Sequence, residues 1–207
     1  MVPSRTCLAA TFFALVIIVS DAFAVTVEGT VQPAIPSGQF ISLSMTIDDT
    51  KTRFELTGPD FSWFALGFDT TTMLGYALIV EGTDANRTVV EQNLLGIGNP
   101  GSPQAHQDIS IISTTHDVAN DLTRIVLERP NNTGDGNDAI FSPSMLELDV
   151  IGAYDSFSSK SAPNGNLSYH GSNGRGFGTI TFSPIPEPST ALLLLTSCAL
   201  TMIRFRR

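Results

Sequence analysis

Apolar and polar residues alternate along much of this chain, in short runs. "VTVEGTV" (residues 25–31), "FISLSMTI" (40–47) and "TRFELTG" (52–58) each place apolar side chains at every second position, the period of a strand that turns one face to a core. "FSWFALGF" (61–68) is a fuller apolar run, and "YALIVEG" (76–82) follows it. Further runs are "RTVVEQ" (87–92), "ISIIST" (109–114), "LTRIVLE" (122–128), "MLELDVIGAY" (145–154) and "GTITFS" (178–183). Glycine, proline, asparagine or aspartate bounds each of them. No stretch keeps a helical period over three turns. About ten such strands predict an all-β fold, a two-sheet antiparallel β-sandwich. Two connections, residues 93–108 and 155–171, are long enough to suggest function or mobility.

The two ends do not share this pattern. Residues 1–24 carry Arg5, an apolar run over 8–19, then Ala22-Phe23-Ala24. A basic start, a short apolar stretch and small residues at the last and third-last positions predict a signal peptide that signal peptidase cleaves after Ala24. The alternative, an N-terminal anchor, needs a longer apolar run, about 20 residues. The other end reads "IPEPSTALLLLTSCALTMIRFRR". As a helix, residues 189–203 would reach roughly 22 Å, short of a hydrocarbon core of about 30 Å. Pro186-Glu187-Pro188, the leucines and the closing arginines together resemble the PEP-CTERM sorting signal of Gram-negative bacteria. The resemblance implies a tail over 186–207 with a short transmembrane segment, removed by an exosortase, much as a GPI signal is removed. A permanent C-terminal anchor is the alternative. Either way residues 25–185 are expected outside the cytoplasm, at the bacterial envelope or cell surface, as one domain by length.

Charge and cysteine content narrow the partners. Cys7 and Cys198 both lie in the ends, so the expected domain has no disulfide and depends on its core. Residues 25–185 hold seven basic and 18 acidic side chains, a net charge of −11. Such a surface repels nucleic acid and anionic lipid and suits a basic partner or none.

Motifs for catalysis are missing. The sequence has no Gly-x-Ser-x-Gly elbow, phosphate loop or His-Glu-x-x-His pair, and the domain is expected not to be an enzyme. His106, Asp108, His116 and Asp117 are candidate metal ligands, read more simply as solvated loop residues flanking a strand. "NNTGDGNDA" (131–139) offers oxygens at Asp135, Asn137 and Asp138, but without the spacing or closing glutamate of a helix-loop-helix calcium site it reads as a polar turn.

"FSWFALGFDTTTMLGYALIV", then "ERPNNTGDGND", then "LSYHG" together resemble the successive signatures of a DOMON domain, an extracytoplasmic β-sandwich that binds haem or sugars. In that pattern an apolar strand around Trp63 to Gly67 leads to a loop bearing Met73 and Gly75. A later strand ends in Arg129-Pro130, and a histidine precedes the last strand. Tyr76-Ala77 departs from the small-then-acidic pair common in the family, which argues against the sugar-binding and catalytic-partner variants. In the haem-binding branch, similar to the cytochrome domain of cellobiose dehydrogenase, one methionine and one histidine hold the iron. Met73 and His170 fall at those two places, both in loops, where one end of a sandwich could gather them. The resemblance thus implies a b-type haem with both axial positions filled, suited to electron transfer. Met45 and Met145 compete as ligands, but each sits in a strand pattern and reads as core.

Two other functions remain on sequence grounds. A carbohydrate-binding module acting in exopolysaccharide would need exposed aromatic platforms, for which Tyr76, Tyr154, Phe157 and Tyr169 are candidates, while Trp63 reads as buried. A structural matrix protein needs only plain strands and an acidic surface. The partner is accordingly a redox protein or a polysaccharide, with nucleic acid excluded.

Overall fold

The predicted alternation closes into two layers. The computed structural model describes residues 25–82, 87–96, 99, 101–155 and 170–185. The expected signal peptide with Ala24, the tail with Pro186, Glu187 and Pro188, and Phe157 and Tyr169 lie outside the described residues. In chain order the strands are β1 (Val27–Val31), β2 (Ser42–Ile47), β3 (Lys51–Pro59), β4 (Phe64–Phe68), β5 (Leu74–Glu81) and β6 (Thr88–Leu95). The rest are β7 (Ser102–Pro103), β8 (Ser110–Asp117), β9 (Leu122–Pro130), β10 (Glu147–Tyr154), β11 (Arg175–Thr181) and β12 (Ser183–Pro184). One sheet runs β12-β1-β2-β3-β9-β8, the other β11-β10-β4-β5-β6-β7, and the described pairs are antiparallel. The fold is an all-β sandwich. No helix among the described residues is long and apolar enough to cross a membrane.

Each of the predicted runs contributes a strand, but one connection is shorter than its composition suggests. Within residues 93–108, β6 continues to Leu95 and Asn93 pairs with Ser102 of β7. Gly96 and Gly101, both at positive φ, flank the return of a hairpin whose ladder pairs Gln92 with Pro103 and Asn93 with Ser102.

Alternation determines which side chains meet between the sheets. Leu43, Met45 and Ile47 of β2 face Phe54 and Leu56 of β3, and Ile125 and Leu127 of β9 extend the layer. From the second sheet come Phe64, Leu66 and Phe68, then Tyr76, Leu78 and Val80, then Leu148, Val150 and Tyr154. Phe54, Phe68 and Phe141 meet edge to face, with centroids 5.4 to 5.8 Å apart, a preferred aromatic geometry. Met45 is fully buried in this core, and Met145 packs partly buried against it in a turn just before β10.

Polar groups also enter the core, where every one needs a partner. Arg129, at the end of β9, stacks over the Tyr76 ring at 4.7 Å and the Phe141 ring at 5.2 Å. Its Nη2 donates to the Ala139 carbonyl at 2.6 Å, and its guanidinium lies 3.8 Å from Glu91 and 3.7 Å from Asp138. Glu91 accepts from the Tyr76 hydroxyl at 2.6 Å and from the backbone amides of Asp108 and Ile109. Burial, reinforced by the Glu91 carboxylate against the pull of Arg129, pushes the Tyr76 hydroxyl pKa far up, so it stays a donor. This cluster joins β5, β6, β9 and the segments that follow β7 and β9.

At one edge the β1–β2 connection lies directly on β11. The Ala34 amide donates to the Phe177 carbonyl at 3.1 Å, and a Cβ on Gly176 would stand 2.3 Å from the Ala34 carbonyl oxygen. Gly176→Ala is therefore expected to cost about 1–3 kcal/mol through forced separation of the two segments. Gly136→Ala, with no atom within 4 Å of its Cβ position, should change stability far less. Denaturant unfolding of the two variants checks this.

Candidate functional site, a cleft on the outer face of the second sheet

The second sheet is apolar on both faces. Between the core residues of β4 and β5 stand Ala65, Gly67, Ala77 and Ile79, all turned outward, and from β10 come Ile151 and Ala153. Ala77 and Ile79 are buried although they point away from the sandwich core. They form the floor of a cleft of about 480 Å³. Small residues keep this floor flat: at Gly67 even a Cβ would come within 2.8 Å of Ile151. Trp63, Leu94, Pro36 and Phe177 add apolar walls, and Thr71, Thr72, Ser172 and Arg175 supply polar groups.

Met73 and His170 both line this cleft. They do not come from one end of the sandwich, as their loop positions suggested. Met73 lies in the β4–β5 connection, beyond Phe68, which pairs with Val150 of β10. His170 lies just before β11, near the opposite end of β10, where the Tyr154 amide donates to Gly174 at 2.9 Å. Met73 and His170 thus reach the outer apolar face of this sheet from opposite ends.

Local hydrogen bonds hold each loop. The Asp69 amide ties the Met73 loop to the Asp149 carbonyl at 2.9 Å, and Asp69 adopts a left-handed conformation (φ 55°) that aspartate tolerates. Thr70 tightens the turn, its hydroxyl donating to the Thr72 carbonyl at 2.8 Å and accepting from the Thr72 amide at 3.0 Å. On the other side the Ser37 amide donates to Asn173 at 3.2 Å, and the Tyr154 hydroxyl donates to Ser37 at 2.8 Å, so the β1–β2 connection braces the His170 turn. Gly171, with φ 68°, makes that turn without strain. His170 is buried, and its Nδ1 lies 2.6 Å from the Gly171 carbonyl oxygen. Since a carbonyl only accepts, Nδ1 carries the proton of that contact.

A second polar cluster supports the Trp63 end. Arg87 donates to the carbonyls of Ser62 at 2.9 Å and Pro59 at 2.9 Å and pairs with Asp60 at 3.2 Å. His116 Nδ1 also meets Asp60 at 3.2 Å, and the Thr123 hydroxyl donates to the same oxygen. Partial burial raises the Asp60 pKa, but the hydrogen bonds from Thr123, Arg87 and His116 outweigh it and hold the pKa below 3.8. His116 is thus a β8 residue engaged with Asp60, not a solvated loop residue. His106 and Asp108 precede β8, while Asp117 caps the β8–β9 turn through Asn120 and Ala119. These four candidate ligands are not gathered, and no group of three metal-ligating side chains occurs among the described residues. The 131–139 loop closes on itself, with Asp135 accepting from Asn137 at 2.9 Å and Asp138 from Thr133 at 2.6 Å.

The candidate sugar platforms fare differently from expectation. Tyr76 and Tyr154 are buried in the core, the Tyr76 hydroxyl bonded to buried Glu91 and the Tyr154 hydroxyl to Ser37 of the β1–β2 connection. Neither is an exposed platform, because both occupy inward positions of their strands. Trp63 is buried, as its apolar context suggested, and it faces the cleft.

In overall fold the chain is similar to the cytochrome domain of Myriococcum thermophilum cellobiose dehydrogenase, with a TM-score of 0.51 and 12% identity over 73% of this chain and 81% of that one. It is also similar to the cytochrome b domain of pyranose dehydrogenase from Coprinopsis cinerea, with a TM-score of 0.47 and 16% identity over 74% and 75% of the two chains. At these identities the likeness is one of fold. No family profile and no curated protein matches the sequence.

Asp60→Asn should lower stability by about 2 kcal/mol at pH 7, since it weakens three hydrogen bonds to a charged acceptor. A lowered carboxylate pKa adds stability above the ordinary aspartate range, and that stability is lost as pH falls through the lowered value. Unfolding curves from pH 7 to pH 2 should therefore show wild type and variant converging at the acid end.

Proposed function

We propose that this domain binds one b-type haem in the outer-face cleft, held by Met73 and His170, and that it passes single electrons outside the cytoplasm. One observation carries the reading: a thioether and an imidazole, brought from opposite ends of the sheet, line the same apolar cleft. The donor set fits the group. Sulfur and neutral nitrogen are soft to borderline ligands for haem iron. The Nδ1–H bond to Gly171 orients the ring, as backbone carbonyls do for metal-bound histidines. The small side chains of Ala65, Gly67, Ala77 and Ala153 on the floor leave room for such a group between Met73 and His170. Arg175 is the cation among the described lining residues and offers a partner for the carboxylates of such a ring.

When bound, the haem supplies a one-electron couple; the rest of the work falls to the protein. Met73 and His170 would hold the group, and one-electron transfer is the chemistry it would supply there. Trp63, Ile79 and Leu94 exclude water from one side of the cleft, which limits solvent reorganisation. The domain has no cysteine to form thioether links, hence the b-type assignment. Export through residues 1–24 and sorting through 186–207 would place it at the envelope. Sugar binding fits less well, because Tyr76 and Tyr154 are inside the core, although Phe177 is 66% exposed at the cleft.

Expressed with haem available, the protein should give a low-spin six-coordinate spectrum with sharp bands on reduction. His170→Ala should lose haem or turn it high-spin, while Met73→Ala should keep haem at a lower potential. Met45→Ala should leave the spectrum unchanged and cost about 2–5 kcal/mol, as a truncated core residue does. A folded protein that stays colourless after haem addition overturns the reading.

Ala65→Phe offers an independent check. It fills the floor from a half-buried outward position, so it should block haem uptake while thermal unfolding of the haem-free protein shifts little.

A further inference from the structure

The β4–β5 connection has two sides. Thr71, Thr72 and Met73 face the outer cleft, whereas Asp69, Thr70 and Leu74 border a second cleft of about 430 Å³ at the end of the sandwich. Residues 137–141 form its other bank, and Phe68, Tyr76 and Phe141 its aromatic floor.

Its mouth is apolar. Leu74 is 52% exposed, its cross-strand partner Leu95 58% and Ile140, on the opposite bank, 61%. Single exposed apolar residues are ordinary, but three around one cleft on a strongly acidic domain mark an interaction surface. Acidic groups surround them. Asp69 is exposed beside Leu74, and its amide is bonded to β10, where Glu147 is exposed and Asp149 half-buried. Inside the cleft, the Asp138 side chain is 1% exposed, and its Oδ1 has no hydrogen-bond partner among the described residues. The basic residues of β3 and β9 toward this end do not offset these acids. Lys51 and Arg53 share the single carboxylate of Glu128, which leaves one net positive charge against the acids Asp69, Glu147 and Asp149, and Arg129 is buried.

We infer that this end of the sandwich docks a basic electron-carrier protein, which rests its apolar contact on Leu74, Leu95 and Ile140 and meets exposed Asp69 and Glu147 with its cationic side chains. An apolar centre with a charged rim is the common anatomy of a protein interface. The acidic rim selects a cationic partner and speeds its encounter. The surface lies on the back of the loop that carries Met73, so a docked carrier would sit one loop away from the proposed haem. The electron-transfer part of this inference rests on the haem reading; the docking part does not.

The test uses the full chain and a basic c-type cytochrome as probe, with affinity from titration calorimetry and the footprint from hydrogen–deuterium exchange, with and without haem. Expected are binding that weakens steeply with salt and protection centred on residues 69–75, 94–96 and 137–141. Leu95→Ser with Ile140→Ser should weaken binding by about tenfold or more and leave the haem spectrum unchanged. Asp69→Asn with Glu147→Gln should flatten the salt dependence, and Asp69→Glu should restore it. Stopped-flow oxidation of the reduced haem protein by the same probe should slow in the serine variant, while oxidation by a small inorganic oxidant should not. Protection centred on Arg175 and Phe177, no salt-dependent binding, or burial of the same leucines by self-association without the probe would each overturn the inference. Docking here by a protein that takes up no haem would leave the surface assigned and remove the haem reading alone.

Discussion

The structure depends on one sheet having two apolar faces. β4 and β5 must fill the sandwich core with Phe64, Leu66, Phe68, Tyr76, Leu78 and Val80, and they also turn Ala65, Gly67, Ala77 and Ile79 outward. An antiparallel sheet in a sandwich normally gives its outer face to water. Here that face is an apolar bed, and Met73 and His170 line the cleft above it. Without small residues on the bed the two side chains would have no space between them. Larger ones would fill the cleft, and polar ones would hydrate it.

The core beneath this bed is held in register by an unusual amount of charge. Arg129 reaches from the first sheet to stack on Tyr76 and Phe141, while Glu91 of the second sheet lies within 3.8 Å of the guanidinium. Buried ion pairs add little net stability over apolar packing, yet removing one partner leaves an uncompensated charge and is costly. Their effect here is positional. Glu91 also binds the amides that lead into β8, and Arg129 the carbonyl of Ala139, so the second cleft inherits one wall from this cluster. Tyr76 joins the two levels: its ring and hydroxyl belong to the cluster, while its neighbour Ala77 is part of the bed.

The two ends of the outer cleft differ in charge. Toward His170 the polar lining includes Arg175 and Ser172, and the β1–β2 connection is stitched to the histidine's turn through Ser37 and Tyr154. Toward Met73 lie Asp69, Glu147 and Asp149, beside exposed leucines. Positive charge thus lies toward one end and negative charge toward the other. This division follows from β10, which pairs with β4 and β11 and carries acids near its start and small apolar residues near its end.

Period-two alternation in the sequence is sufficient for the layers, because a strand's faces are set by covalent geometry alone: the runs around β2, β3, β9 and β10 read directly as one face in and one face out. The second apolar face was visible too, as the unbroken runs "FSWFALGF" and "YALIV", although a continuous run does not say what covers it. Residue type and order also suggested Met73 and His170 as a pair, by resemblance. What tertiary structure decided is how they meet. Register places Phe68 opposite Val150 and Phe64 opposite Tyr154, and this brings Met73 and His170 to the outer face of the sheet from opposite ends. Burial of Tyr76 and Tyr154, the engagement of His116 with Asp60 and the position of Arg175 at the cleft were likewise undecided by local sequence. Each depends on contacts between residues far apart in the chain, and local propensity carries no information about which distant partner will desolvate a side chain or share its proton.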